Sequence, residues 1–114
     1  MRPDQEWLRD IQHNTDLVIS FISSTNREEF LKDEMRSLAA AKAIENIGEA
    51  VKHISQELKA RYPDVDWVGP ARMRDRTAHG YWSVNYNIVW DTATQEIPVL
   101  RKQIAQILAQ EFSS

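Results

Sequence analysis

The sequence predicts an all-α protein, an antiparallel bundle of four to five helices in a single domain over residues 1–114. Three observations carry this expectation. Apolar residues recur at three- and four-residue steps along most of the chain, the spacing of one helix face. Gly and Pro number only 3 and 4, while the strong helix formers Ala, Leu, Glu, Lys and Gln are abundant. No stretch alternates with period two over a useful length, so strands are not expected. Helices joined by short connectors pack side by side in opposite directions. A chain of 114 residues fills one core of ordinary size.

The first helix is expected from Pro3 or Asp4 to about Ser23, with Trp7, Leu8, Ile11, Val18, Ile19 and Ile22 forming its apolar stripe. Ser23-Ser24-Thr25-Asn26 breaks the pattern, and Thr25 with Glu28, or Asn26 with Glu29, offers a capping box. A second element starts near Arg27, with Phe30 and Leu31 as its first apolar contacts. A long helix is then expected from about Lys32 to Arg61, with Met35, Leu38, Ala41, Ile44, Ile47, Gly48, Val51, Ile54 and Leu58 as its stripe. Its small residues around Ala39–Ala41 admit a close neighbour, and Gly48 a close crossing or a bend. Tyr62-Pro63 ends it, because a residue before proline avoids the helical region.

Pro63 to Gly69 reads as a turn-rich connector with Asp64, Asp66 and Trp67. Pro70 suits the first position of a short helix, since its missing N–H has no partner there anyway. That helix is expected to end at His79, with Gly80 closing it. The last helix should run from Val84 or Asn85 to Phe112, inner side Tyr86, Trp90, Ala93, Ile97, Leu100, Ile104 and Ile107 or Leu108. Pro98 lies inside it and should kink it.

Composition excludes several classes. Hydrophobic content of 42% with 27% charged residues is globular. No cysteine is present, which rules out disulfides and thiolate metal sites and suits a reducing compartment. The first residues, Met-Arg-Pro-Asp-Gln-Glu-Trp, lack a signal-peptide apolar stretch. The longest apolar run, Leu17–Ile22, is interrupted by Ser20 and too short to span a bilayer. The expectation is a soluble, cytoplasmic protein with no membrane partner. Net charge of −3 does not suit a general nucleic-acid binder. From Lys59 to His79, however, five cations (Lys59, Arg61, Arg72, Arg74, Arg76) face three acids (Asp64, Asp66, Asp75). That local excess fits a compact phosphate site, and equally a solvated helix face.

The chemistry-bearing residues gather in Arg72-Met-Arg-Asp-Arg-Thr-Ala-His-Gly-Tyr81. Guanidinium binds phosphate bidentately and imidazole moves protons near neutral pH. At about 100° per residue, Arg74 and His79 stand roughly 140° apart on an ideal helix. They meet at one ligand only if the helix unwinds at Ala78-His79-Gly80 or a second copy supplies the missing partner across a two-fold axis. Elsewhere bland readings suffice. Glu49 and His53, four apart, are the spacing of a metal pair, but no second such pair exists and a di-metal bundle site needs more. No metal or cofactor is therefore expected. His13 reads as a solvated side chain, and Asp33, Glu34, Glu45 and Glu49 as charges on a helix face. An arginine and a histidine on an amphipathic helix are themselves commonly plain surface residues.

Arg74-x4-His79-x-Tyr81 resembles the Arg-x4-His-x-Tyr signature of the HepT-like toxins of the HEPN superfamily. Ile47-Gly48-Glu49-Ala50-Val51, Tyr62-Pro63-Asp64, Trp67, Met73-Arg74-Asp75, Val89-Trp90 and Ile97-Pro98-Val99-Leu100 resemble its flanking phrases in order and spacing. Two positions depart from the pattern: Pro70, where an aliphatic is usual, and Arg72, where glycine is common. The resemblance implies a HEPN-like homodimer acting as a metal-independent endoribonuclease, the toxin of a type II toxin–antitoxin pair. Arg74 would hold the scissile phosphate and His79 assist proton transfer. Asp75 would orient one of them, and Arg72 and Arg76 would add electrostatic support. It also implies a minimal nucleotidyltransferase antitoxin that transfers AMP to Tyr81. Two other readings stand beside it: a helical module that docks such a nucleotidyltransferase or binds a nucleotide without cleavage, and a structural adaptor with no chemistry.

Overall fold

The computed structural model describes residues 2–69 and 85–112, and every secondary-structure element among them is helical. The elements are α1 (Asp4–Ile22), α2 (Arg27–Lys32), α3 (Glu34–His53), α4 (Gln56–Arg61), α5 (Tyr86–Asp91), a π-helical turn (Thr92–Glu96) and α6 (Ile97–Phe112). The last three are continuous and together match the expected final helix.

Polar contacts give the direction of each helix. Asp4, opening α1, meets Ser55 just beyond α3, and Arg36 near the start of α3 donates to the Phe21 carbonyl near the end of α1 (2.9 Å). The two helices are therefore antiparallel. Arg27 of α2 pairs with Asp91, and Arg61 of α4 with Glu111. The chain from α5 to α6 thus runs against α1 and alongside α3. Arg101 ties α6 to Asp16 of α1 (2.6 Å). Among the described residues the core is built from Leu8, Ile11 and Val18 of α1, Ile44, Ile47 and Val51 of α3, and Ile97, Ile104 and Ile107 of α6. Gly48 is buried with them.

The expected long helix is interrupted twice. Asp33 adopts extended backbone (φ −93°, ψ 92°) and its side chain accepts from the Arg36 N–H, so it closes α2 and caps α3. It is a cap, not merely a charge on a face. Ile54 and Ser55 form the second break: Ser55 caps α4 by accepting from the Leu58 N–H. The Asp4 carboxylate accepts from both the Ser55 N–H (2.9 Å) and its hydroxyl. Ile54 and Leu58 stay buried on either side of the break, which is why the apolar periodicity runs through it unmarked.

Met35 and Leu38 were expected in the core but are 84% and 49% exposed. Steps of three lag a 3.6-residue turn by about 60° each, so Met35 lies about half a turn from Ile44. Ser37, Ala40 and Ala41 occupy the inner face instead. Leu31 of α2 is likewise a large apolar side chain left exposed.

Pro98 does act on the last helix, through a widened turn. The Ile97 N–H donates to the Thr92 carbonyl, five residues back. Proline has no N–H to return to Thr94 and its ring crowds that carbonyl, and a single π turn gives the chain room at this point. Val89 is fully buried beside the expected inner residues, whereas Tyr86 and Trp90 pack from the margin. Among the described residues, no helix is long and apolar enough to cross a membrane.

Candidate functional site

The described residues build the two borders of the motif segment. On the approach, Tyr62 ends α4 and its carbonyl accepts from the Val65 N–H (3.2 Å) and the Trp67 indole N–H (2.9 Å). This folds residues 62–67 into a compact turn with Val65 buried. Asp66 Oδ1 then accepts from the backbone N–H groups of Val68 (3.2 Å) and Gly69 (2.8 Å). A Cβ on residue 69 would stand 2.3 Å from Asp66 Oδ2, so glycine is what lets Asp66 hold both bonds.

On the return, the Asn85 side chain caps α5 by accepting from the Asn87 N–H (3.0 Å). Arg27 donates to Asn87 Oδ1 (3.1 Å) and to Asp91, clamping α5 onto α2. Phe30 of α2 lies against Trp90, ring centres 5.1 Å apart and planes tilted by 51°. Every site residue expected from the sequence, Arg72, Arg74, Asp75, Arg76, His79 and Tyr81, lies outside the described residues, as do the expected short helix from Pro70 and its Gly80 end.

Tyr62 is held from the far side. Its hydroxyl donates to Glu111 Oε2 (2.7 Å), and Arg61 donates to both oxygens of the same carboxylate (2.8 and 3.2 Å). Hydrogen bonds from Arg61 first, then Tyr62, hold the Glu111 carboxyl below its ordinary 4.5. The bond to Glu111 and burial raise the Tyr62 phenol in turn. A carboxyl lowered by folding contributes stability that is present above pH 4.5 and lost as pH falls through the folded value. Glu111→Gln is therefore expected to flatten the acid side of the stability curve. Urea midpoints from pH 7 to pH 3 that fall equally in both proteins would rule this out.

The other sequence candidates have structural partners. His53 Nε2 lies 3.2 Å from Glu49 Oε1, and its ring stacks on Trp7 at 4.3 Å and 8°. Arg2 covers the Trp7 ring at 4.0 Å. Among the described residues no three potential metal ligands gather. His13 is exposed.

A cavity of about 190 Å³ opens beside Gly69, and none of Thr92, Gln95, Glu96 and Gln103 stands among the candidates read from the sequence. Thr92, Gln95, Glu96 and Gln103 line it from the π turn and α6, and Asp66 from the approach.

The family described as Ribonuclease HepT-like matches residues 11–107. "Putative RNase TTE0752" of Caldanaerobacter subterraneus subsp. tengcongensis is 36% identical over 111 residues, covering 97% of this chain and 99% of the relative. "Putative RNase MJ0127" of Methanocaldococcus jannaschii is 38% identical over 102 residues, 90% of this chain and 84% of the relative. "Probable ribonuclease HepT" of Thermococcus cleftensis is 33% identical over 106 residues, 93% of this chain and 96% of the relative. No solved structure matches the chain.

Proposed function

We propose, from the premise that this chain belongs to the HepT-like ribonuclease family, that it is a metal-independent endoribonuclease working through Arg74 and His79. The observation that carries this is Arg74-x4-His79-x-Tyr81 standing inside the 11–107 family match. In the reaction an RNA 2′-hydroxyl attacks the adjacent phosphorus and the bond to the 5′-oxygen breaks. The products are a 2′,3′-cyclic phosphate and a 5′-hydroxyl end. His79 assists the proton transfers, since imidazole titrates near neutral pH. Arg74 holds the phosphate and stabilises the charge that develops on it, with Arg72, Asp75 and Arg76 supporting the pair.

In this reading residues 1–114 form one HEPN-like domain that works as a homodimer in the cytoplasm. The exposed apolar side chains Leu31, Met35 and Leu38 support self-association. The partner in regulation is a minimal nucleotidyltransferase antitoxin. The Tyr81 oxygen attacks the α-phosphorus of ATP, AMP is transferred and pyrophosphate leaves. The added phosphate competes with RNA for the arginines.

The test is RNA cleavage by the purified chain in EDTA, read on a gel with end-group mapping. Cyclic phosphate ends are the expected result. Intact RNA at high protein concentration would sink the enzyme reading and leave the helical module that docks a nucleotidyltransferase or binds a nucleotide.

A further inference from the structure

The cavity beside Gly69 has the size and chemistry of a site for one flat heterocycle. Its volume of about 190 Å³ exceeds the roughly 150 Å³ that holds a benzene ring in a protein core and falls short of the 300 Å³ or more usual for drug-sized ligands. Ile44, Ile97 and Leu100 form apolar walls, each almost wholly buried. Within it Thr92 is 5% exposed, and among the described residues its hydroxyl has no hydrogen-bond partner. Thr94, two residues on, satisfies its own hydroxyl on the Trp90 carbonyl (2.9 Å). A buried hydroxyl normally has a hydrogen-bond partner, and none of the described residues supplies one to Thr92.

The polar groups indicate what that partner is. Glu96 supplies a carboxylate, acceptor only, and Gln95 and Gln103 supply amides that donate and accept. Asp66 adds a second carboxylate, with Oδ1 already engaged by Val68 and Gly69. A phosphate is repelled by this lining. A base edge with two adjacent N–H donors and a carbonyl is matched by it, and among the four RNA bases guanine alone has that edge. Gly69 and Arg74 stand five residues apart in the sequence, so the cavity and the motif are neighbours along the chain.

We propose that this cavity is the base-reading subsite of the RNA site, taking an unstacked guanine with its Watson–Crick edge toward Glu96. RNA-specific recognition commonly takes single-stranded bases in this way. The proposal rests on the ribonuclease reading for its place in catalysis, but guanine binding can be tested alone.

The experiment has two arms, both with the full chain. In the first, single-stranded RNAs differing at one position are cleaved by the wild type and by Glu96→Gln, an exposed position whose change leaves the core intact. The wild type is expected to favour guanine by about tenfold or more, the discrimination of a good bidentate contact. Glu96→Gln should reduce that to near parity while cleavage of other sequences continues. In the second arm, binding of GMP, AMP, CMP and UMP is followed by tryptophan fluorescence, with the same preference and the same loss expected. Cleavage without base preference, or a preference that survives Glu96→Gln, overturns the proposal. If no RNA is cut, the ribonuclease reading fails and the binding arm decides: no selective GMP binding overturns the subsite, and selective binding lost in Glu96→Gln upholds it.

Discussion

His79→Ala and Arg74→Ala are each expected to lower RNA cleavage by about 10² or more, the range seen when a positioned proton-transfer group or a charge-stabilising donor is removed. Thermal midpoints should stay close to wild type, because neither change removes any core residue described above. Growth arrest on expression should disappear in His79→Ala. Loss of cleavage together with loss of fold would carry no mechanistic meaning, so far-UV circular dichroism belongs beside each assay. Full activity in a folded His79→Ala protein would sink the mechanism.

Mixing the two inactive proteins asks a further question. On an ideal helix the two side chains diverge by roughly 140°. If each site takes Arg74 from one subunit and His79 from the other, a mixed dimer has one intact site of its two. Random re-association makes about half of the dimers mixed, so about a quarter of wild-type activity should return. If both residues come from one subunit, mixing restores nothing. The assay thus separates a shared site from a bent helix end.

Phe30→Ala is expected to cost about 3–5 kcal/mol, the usual penalty for truncating a fully buried aromatic. Phe30 has no exposed surface, and its contact with Trp90 adds about 0.5–1.5 kcal/mol beyond the area it buries. Against a total stability of about 5–15 kcal/mol, the loss should lower the melting temperature by more than about 10 °C. The position is sensitive because α2 spans only six residues, far below the length at which a helix is stable alone. Its burial holds α2, and through Arg27 and Trp90 it holds α5, the element that receives the chain from the motif. Cleavage should therefore fall with stability. A melting shift of less than about 3 °C would mean the site collapses without loss.

The fold was largely legible in the sequence because helix formation here is decided by periodicity and caps. Asn26 accepts from the Glu29 N–H as its capping box suggested, and α1 ends within a residue of its expected limits. The misplaced features have separate causes. The break at Ser55 is set by Asp4, fifty-one residues away, and no local pattern records such a contact. Met35 and Leu38 were assigned inward because their three-residue spacing looks helical over one turn and drifts over three. Pro98 signalled a disturbance, but whether a helix answers with a bend or a wider turn depends on its neighbours. For the site the balance reverses. Arg74, His79 and Tyr81 stand out by residue chemistry alone, whereas Thr92 and Glu96 acquire meaning only once folding sets them around a cavity.

The Asp4 clasp on Ser55 bears on the order of assembly. From Glu34 to Arg61 the one local mark of the break is Ser55, a favoured N-cap residue, and the apolar stripe continues across it. In the folded chain the Asp4 carboxylate holds both Ser55 donors, which ties the break to the packing of α1. Amide exchange at residues 54–58 should then track the docking of α1 and not the formation of α3. The break between α3 and α4 is accordingly held from near the start of the sequence, by the third residue after Met1.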